Sequence, residues 1–295
     1  MMLRLALAVL FFAPSAFPGI VDQVREALDR RDFPTADRLV VAYRRANAPD
    51  SQLANALGWQ ARAALDAKSL DRAAAYAQET RKITLPNVRG PRADREYWLY
   101  ALGASIEVQA QVQAARGETA EAVLFLRNEL KTYGDTSLRE RIQKNLNLLS
   151  LEGKPAPPLE AADLAGLRGK PVLLFFWAHW CPDCKADVPI IASVMRKYAP
   201  RGLVLIGPTR YYGYVAGGVD APPQVEKVYI DQVRRQLYAP LLNMPAPLSN
   251  ANFARYGAST TPTLVLVDRQ GIVRWYHPGA AGERELASHI EKILR

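Results

Sequence analysis

The stretch FFWAHWCPDCKADVP, Phe175–Pro189, decides the fold, and it contains the only two cysteines of the 295-residue chain. A continuous apolar run over residues 171–178 predicts a buried strand, and a helical pattern follows the cysteines to about Tyr198. This order places Cys181 at a helix N-terminus, where free N–H groups and the helix dipole favour an anion. The pKa of its thiol should therefore be low, which predicts Cys181 as the nucleophile. Cys184, one helical turn further in, is predicted to be the shielded resolving thiol.

The N-terminal sequence MMLRLALAVLFFAPSAFPGI is typical of a secretory signal peptide, which we assign to residues 1–18. Its apolar run, Leu5–Ala13, is shorter than the roughly 20 residues of a membrane-spanning helix, so we prefer a signal peptide to an uncleaved anchor. The predicted location is periplasmic or otherwise extracytoplasmic, where disulfides form and persist. A disulfide that closes so short a loop adds little stability, so the cysteine pair is predicted to react rather than to act as a staple.

Metal and nucleic-acid binding are both disfavoured by composition. A structural zinc site needs four ligands, and beyond the cysteines only His179, His277 and His289 are available, two of them far along the chain. We therefore expect no metal and no cofactor. The formal net charge of +9 is spread over short pairs such as Arg44-Arg45, without a basic cluster that is interleaved with aromatic residues. We expect no nucleic-acid partner.

Residues 19–152 have a helical period almost throughout and predict about seven helices in stacked hairpins. Three segments each show a small residue followed four positions later by an apolar one: Ala36 and Val40, Ala73 and Ala77, Ala122 and Leu126. This arrangement resembles the second helix of a tetratricopeptide hairpin, although the spacing exceeds the family's repeat of about 34 residues. The alternatives are a repeat domain with a partner-binding surface and a plain helical bundle.

Residues 153–295 add three further strands, two of them in a hairpin, a helix from about Gln224 to Tyr238, and a C-terminal amphipathic helix. The Trp-Cys-x-x-Cys motif is followed by Asp187 and Pro189, and about eighty residues later by Thr261-Pro262 before a strand. Together these motifs resemble the TlpA-like exported thiol-disulfide oxidoreductases of the thioredoxin superfamily. The resemblance implies an α/β thioredoxin-like fold, a mixed sheet covered by helices, preceded by an all-α helical-hairpin domain.

The resemblance also implies roles for individual residues. Thr261 and Pro262 match the family's cis-proline loop, which lies against the cysteines, and they are predicted to bind substrate. Trp180, which adjoins the nucleophile in the sequence, is predicted to belong to the same docking surface; the alternative is that it only packs. Phe175 stands where cytoplasmic thioredoxins carry a buried aspartate, so Asp187 is the better candidate to take the proton of Cys184, provided that burial raises its pKa. The alternative is that Asp187 is a solvated acid on the helix surface.

The expected activity is thiol-disulfide exchange, and the resemblance implies a reductase. Its partners would be exported proteins with disulfides, such as apocytochromes, and a membrane electron donor. Two alternatives stay open: a disulfide oxidase or isomerase with the same cysteines, and an interaction scaffold in which the helical domain binds a protein partner.

Two features near the cysteines have two interpretations each. Tyr211, Tyr212 and Tyr214 lie in a long segment between strands, where they would either rim the reactive cysteine and bind a partner or pack the segment down. His179 would either tune the Cys181 thiolate as an imidazolium or be an exposed spectator.

Overall fold

The computed structural model describes residues 19–89 and 94–295, and within these ranges seven helices precede a mixed four-stranded sheet with four helices of its own. The predicted signal peptide, residues 1–18, lies outside the described residues. The first seven helices are α1 (Ile20–Asp29), α2 (Phe33–Ala46), α3 (Ser51–Asp66), α4 (Leu70–Thr84), α5 (Arg95–Ala115), α6 (Thr119–Tyr133) and α7 (Arg139–Ser150). The elements that follow are β1 (Val172–Phe176), α8 (Pro182–Tyr198), β2 (Val204–Ile206), α9 (Pro223–Leu237), α10 (Asn250–Tyr256), β3 (Thr263–Val267), β4 (Val273–Pro278) and α11 (Glu283–Leu294). No helix in the described ranges is both long enough and apolar enough to cross a bilayer.

The first seven helices pack as neighbours in sequence order, with α1 against α2, α3 against α4 and α5 against α6. Ala36, Ala73 and Ala122 lie on the second helix of each of these pairs and are completely buried. A small side chain at these positions lets two helices approach closely. The seven helices in the described part of residues 19–152 confirm the predicted number. The relation to tetratricopeptide repeats stays a prediction.

The sheet has the strand order β2-β1-β3-β4. Strand β1 pairs in parallel with β2 and antiparallel with β3, and β3 forms an antiparallel hairpin with β4. All five residues of β1 are buried because both faces of the sheet are covered. Leu173 and Phe175 face the core that α8 and α11 share, whereas Leu174 and Phe176 face the core closed by α10. This is the predicted thioredoxin-like architecture, and the prediction is confirmed.

Helix α10 was not anticipated from the sequence, and it joins the helical part of the chain to the sheet. It packs against α7, where the Asn147 amide donates to the Arg255 carbonyl oxygen over 3.4 Å. Gly257 ends α10 with a left-handed backbone conformation, φ +60°. A Cβ atom at this position would overlap the backbone of Gln143 and Lys144 on α7. Only glycine therefore permits this close approach of the two helices.

Substitution of Gly257 by alanine is expected to destabilise the protein by about 3 kcal/mol, because a strained backbone and an overlap with α7 add together. Gly271→Ala is the matched control, since Gly271 also has a positive φ, +80°, but faces open space. It should cost only about 1 kcal/mol of backbone strain. Urea unfolding of both variants measures the difference, and equal losses would show that the contact with α7 contributes nothing.

Candidate functional site

The cysteine pair lies at the N-terminus of α8, directly after the carboxyl end of β1. Cys181 is the N-cap residue of the helix, and its Sγ accepts a hydrogen bond from the Cys184 N–H at 3.0 Å. A disulfide joins the two residues, whose Cα atoms are 5.3 Å apart. In the reduced protein, the same N–H group and the helix dipole would stabilise a thiolate on Cys181.

Both cysteines are covered by protein. Cys184 is completely buried, as expected of a shielded thiol, but Cys181 is also only 1% exposed. The partly buried rings of Tyr211 and Tyr212 pack on the same apolar cluster as the cysteines. Because Cys181 is almost completely covered by its neighbours, a substrate can approach its sulfur only at the small part of this residue that stays exposed.

Of the predicted substrate-binding residues, Thr261 lies against this sulfur and Pro262 directly follows it. The peptide bond between Thr261 and Pro262 is cis, and the Thr261 carbonyl oxygen lies 3.4 Å from the Cys181 Sγ. The Pro262 carbonyl accepts a hydrogen bond from the Gly279 N–H at 2.8 Å, which fixes the loop to the end of β4. The Thr261 main chain thus borders the reactive sulfur.

The third predicted substrate-binding residue, Trp180, is 44% exposed although it adjoins a buried cysteine. Its ring meets the Tyr212 ring edge to face, with the ring centroids 5.5 Å apart. A large exposed indole beside a reactive group is a feature of surfaces that bind other proteins.

Asp187 is buried on α8, one turn beyond Cys184, so the two side chains share a face of the helix. Burial, aided by the negative charge of Asp183 one turn earlier, raises the pKa of Asp187 from 3.8 to about 6, and His277 opposes this rise weakly. Its Oδ2 atom is buried and has no hydrogen-bond partner among the described residues. The interpretation of Asp187 as a solvated surface acid is therefore wrong, and the carboxylate is suited to exchange a proton near neutral pH.

His179 is buried, so its interpretation as an exposed spectator is wrong. Its Nε2 lies 3.1 Å from the Oε1 of Glu226 on α9. Burial lowers the pKa of His179 from its ordinary value although Glu226 raises it, so burial favours the neutral form of the ring. A neutral ring adds no positive charge beside the Cys181 thiolate, and an imidazolium that tunes the sulfur is disfavoured as well.

Glu226 is the residue that sequence reasoning missed. It is completely buried and accepts hydrogen bonds from the N–H groups of Tyr212, at 2.6 Å, and Gly213, at 2.8 Å. The rings of Tyr212 and Tyr214 lie edge to face around His179, each with its centroid at 5.5 Å. The tyrosines therefore do pack their segment down, as one interpretation expected, and Tyr212 also contacts Trp180. Its position in the first turn of α9 gives no signal of this role in the sequence.

Comparison with known proteins gives the same class of chemistry. Residues 152–294 match the Redoxin family model. The chain is 28% identical over 154 residues to the thiol:disulfide interchange protein DsbE of Xylella fastidiosa, an alignment that covers 49% of this chain and 70% of that protein. It is 27% identical over 150 residues to the thiol-disulfide oxidoreductase ResA of Bacillus anthracis, covering 48% of this chain and 78% of that protein.

A crystal structure of a putative thiol:disulfide interchange protein DsbE from Chlorobium tepidum also matches, at 23% identity and a TM-score of 0.38. This match covers 49% of the present chain and 98% of that chain. The family model, the relatives and the cysteine pair agree, and the protein is a thiol-disulfide oxidoreductase.

Proposed function

We propose that the protein is an exported, TlpA-like thiol-disulfide reductase that reduces disulfides of other exported proteins. The observation that carries the proposal is the placement of a buried carboxylate, Asp187, one turn beyond Cys184 on the helix that begins at Cys181. A reductase needs a proton acceptor next to its buried resolving thiol, and the pKa of about 6 suits that task. The two-domain organisation, with a boundary near residue 152, belongs to the same proposal.

In the proposed reaction, the Cys181 thiolate attacks one sulfur of a substrate disulfide. The substrate S–S bond breaks, a mixed disulfide forms on Cys181, and the first substrate thiolate leaves and takes a proton from water. Cys184 then gives its proton to Asp187 and attacks the Cys181 sulfur, which releases the second substrate thiolate. Two electrons pass to the substrate, and the enzyme is left with the disulfide between Cys181 and Cys184.

The surface around the sulfur supports binding of a protein substrate. Trp180 offers an exposed aromatic surface, and the Thr261 carbonyl oxygen lies 3.4 Å from the Cys181 Sγ. A substrate segment that brings a disulfide to Cys181 would contact both. A dithiol donor at the membrane would return the two electrons, and the predicted signal peptide, residues 1–18, would place the reaction outside the cytoplasm.

The charge at the helix tip favours reduction over oxidation. Asp183 is exposed between the two cysteines in sequence, and its negative charge partly offsets the helix dipole that stabilises the Cys181 thiolate. A less stabilised thiolate makes the reduced form a stronger electron donor.

The reduction potential tests this direction. Equilibration of the purified protein with glutathione buffers is expected to give a potential below about −200 mV, on the side of thioredoxin at about −270 mV. The catalysed reduction of insulin by a dithiol provides a second measurement. A potential near the value of about −120 mV that is typical of strong periplasmic oxidants would overturn the reductase proposal in favour of disulfide donation.

A further inference from the structure

The segment Arg210–Tyr214, here called the tyrosine segment, lies beside the reactive cysteine and has no part in the reaction described above. Its Tyr212 ring meets the exposed Trp180 ring edge to face. The position of Tyr212 therefore decides the shape of the surface next to Cys181. Two carboxylates hold this residue in place, one from each part of the molecule.

The first carboxylate is that of Glu226, which holds the main chain of the tyrosine segment. Its Oε1 accepts the Tyr212 N–H and its Oε2 accepts the Gly213 N–H, so both oxygens bind the backbone. The Oε1 atom also lies 3.1 Å from the Nε2 of His179, the residue directly before Trp180. One buried group therefore connects the tyrosine segment to the backbone that leads into Cys181.

The second carboxylate is that of Glu140 on α7, in the helical part of the chain. It forms a half-buried ion pair of 2.5 Å with Arg210. The Arg210 guanidinium lies over the Tyr212 ring, 5.1 Å from its centroid, and over the Phe253 ring of α10, at 4.7 Å. Cation–π contacts of this kind favour a fixed ring position. Glu140 therefore acts on the side chain of Tyr212, whereas Glu226 acts on its backbone.

We propose that Glu226 and Glu140 are positioning residues that hold Tyr212 against Trp180 and so set the affinity of the enzyme for protein disulfides. The inference rests on the proposed function, because it concerns the surface that a protein substrate contacts. It also gives the helical part of the chain a role in the redox site through Glu140. A small disulfide needs only the sulfur of Cys181, whereas a protein chain also contacts the wall that Trp180 and Tyr212 form.

The variants Glu226→Gln and Glu140→Gln test the assignment, with Asp231→Asn as a control. Asp231 lies on the same helix as Glu226 but pairs with Lys227 at the surface. Glutamine at 226 keeps one acceptor oxygen but turns an NH₂ group towards a backbone N–H, so one main-chain bond is lost. Steady-state kinetics are measured with insulin and with bis(2-hydroxyethyl) disulfide, and hydrogen exchange is followed in the peptide that spans the tyrosine segment.

For Glu226→Gln we expect KM for insulin to rise roughly tenfold, because a buried charge-assisted hydrogen bond is removed. For Glu140→Gln we expect a rise of roughly threefold, because the ion pair that is lost is only partly buried. In both variants kcat and the rate with the small disulfide stay unchanged, and amide exchange in the tyrosine segment becomes faster. Asp231→Asn should match the wild type in every measurement.

Three outcomes would overturn the assignment. The first is an unchanged KM for insulin in both glutamine variants. The second is an equal loss with insulin and with the small disulfide, which would place the effect in the chemistry. If Glu226→Gln does not fold, the partly buried Glu140→Gln variant decides alone. The third is a wild-type protein that reduces neither insulin nor the small disulfide. This outcome would refute the proposed function and the assignment with it. It can be told apart from the first two outcomes because it is seen in the wild type, without any variant.

Discussion

Replacement of Asp187 by asparagine is expected to slow insulin reduction about a hundredfold at pH 7, the usual effect of losing a proton acceptor. Cys184 lies one helical turn before Asp187, and both residues are buried. Without a carboxylate nearby, the Cys184 thiol has no internal group to take its proton before it attacks the mixed disulfide. Formation of the mixed disulfide on Cys181 should be unaffected, so rapid mixing should show a normal first step and a slow second one.

The pH dependence follows from the pKa of about 6 that burial gives Asp187. The carboxylate must be ionised to accept a proton, so resolution by the wild type should be slow below pH 6 and should rise as the pH increases through 6. The asparagine variant should lack this inflection. Asp183→Asn is the control, since it removes an exposed acid from the same helix and should keep the inflection, moved slightly to lower pH.

The substitution of Asp187 by asparagine is also expected to stabilise the oxidised protein. Folding raises the pKa of Asp187 from 3.8 to about 6, so the folded state binds the proton more tightly than the unfolded state. The contribution of Asp187 to stability is therefore greatest below pH 4, falls as the pH rises to about 6, and stays at the lower value above it. Asparagine removes this loss, which is at most about 3 kcal/mol at pH 7 and less than about 1 kcal/mol at pH 4. Thermal unfolding at the two pH values measures it, and an active variant with unchanged stability would contradict both the role and the burial.

Much of this architecture could be predicted because its signals are local. Strand β1 is a continuous apolar run, and α8 starts at a cysteine pair that follows it, so both were expected within a few residues of their observed ends. Helix α9 was predicted from Gln224 to Tyr238 and is observed over Pro223–Leu237. In each case the periodicity of neighbouring residues carried the information.

The parts that could not be predicted depend on contacts between distant residues. Helix α10 has only seven residues, too few for a clear helical period, and the Gly257 contact with α7 that helps to place it joins distant parts of the chain. Glu226 and His179 are 47 positions apart in the sequence, so nothing local pairs them. An isolated glutamate in a helical turn is usually solvated, and only the folded path of the tyrosine segment makes this one a buried acceptor.

The two cysteines are expected to give opposite results when each is replaced by serine. Cys181→Ser should lose insulin reduction by more than about a thousandfold, because a serine hydroxyl is not ionised near neutral pH and does not attack a disulfide. Cys184→Ser should still form the first bond and then stop, because the group that resolves the mixed disulfide is missing. The reacted substrate would remain attached to Cys181.

This difference turns the Cys184→Ser variant into a trap for the natural partner. Expressed in the cell, it should yield adducts on non-reducing gels that disappear on treatment with a dithiol, and the captured proteins should be exported ones. The double variant Cys181→Ser, Cys184→Ser is the control and should capture nothing. Adducts that form on Cys181→Ser instead would assign attack to Cys184, against the geometry in which Cys181 caps α8 and Cys184 lies completely buried behind it. A Cys181→Ser variant that keeps full function in the cell would favour the scaffold interpretation, since thiol-disulfide exchange cannot begin without the sulfur at the helix tip.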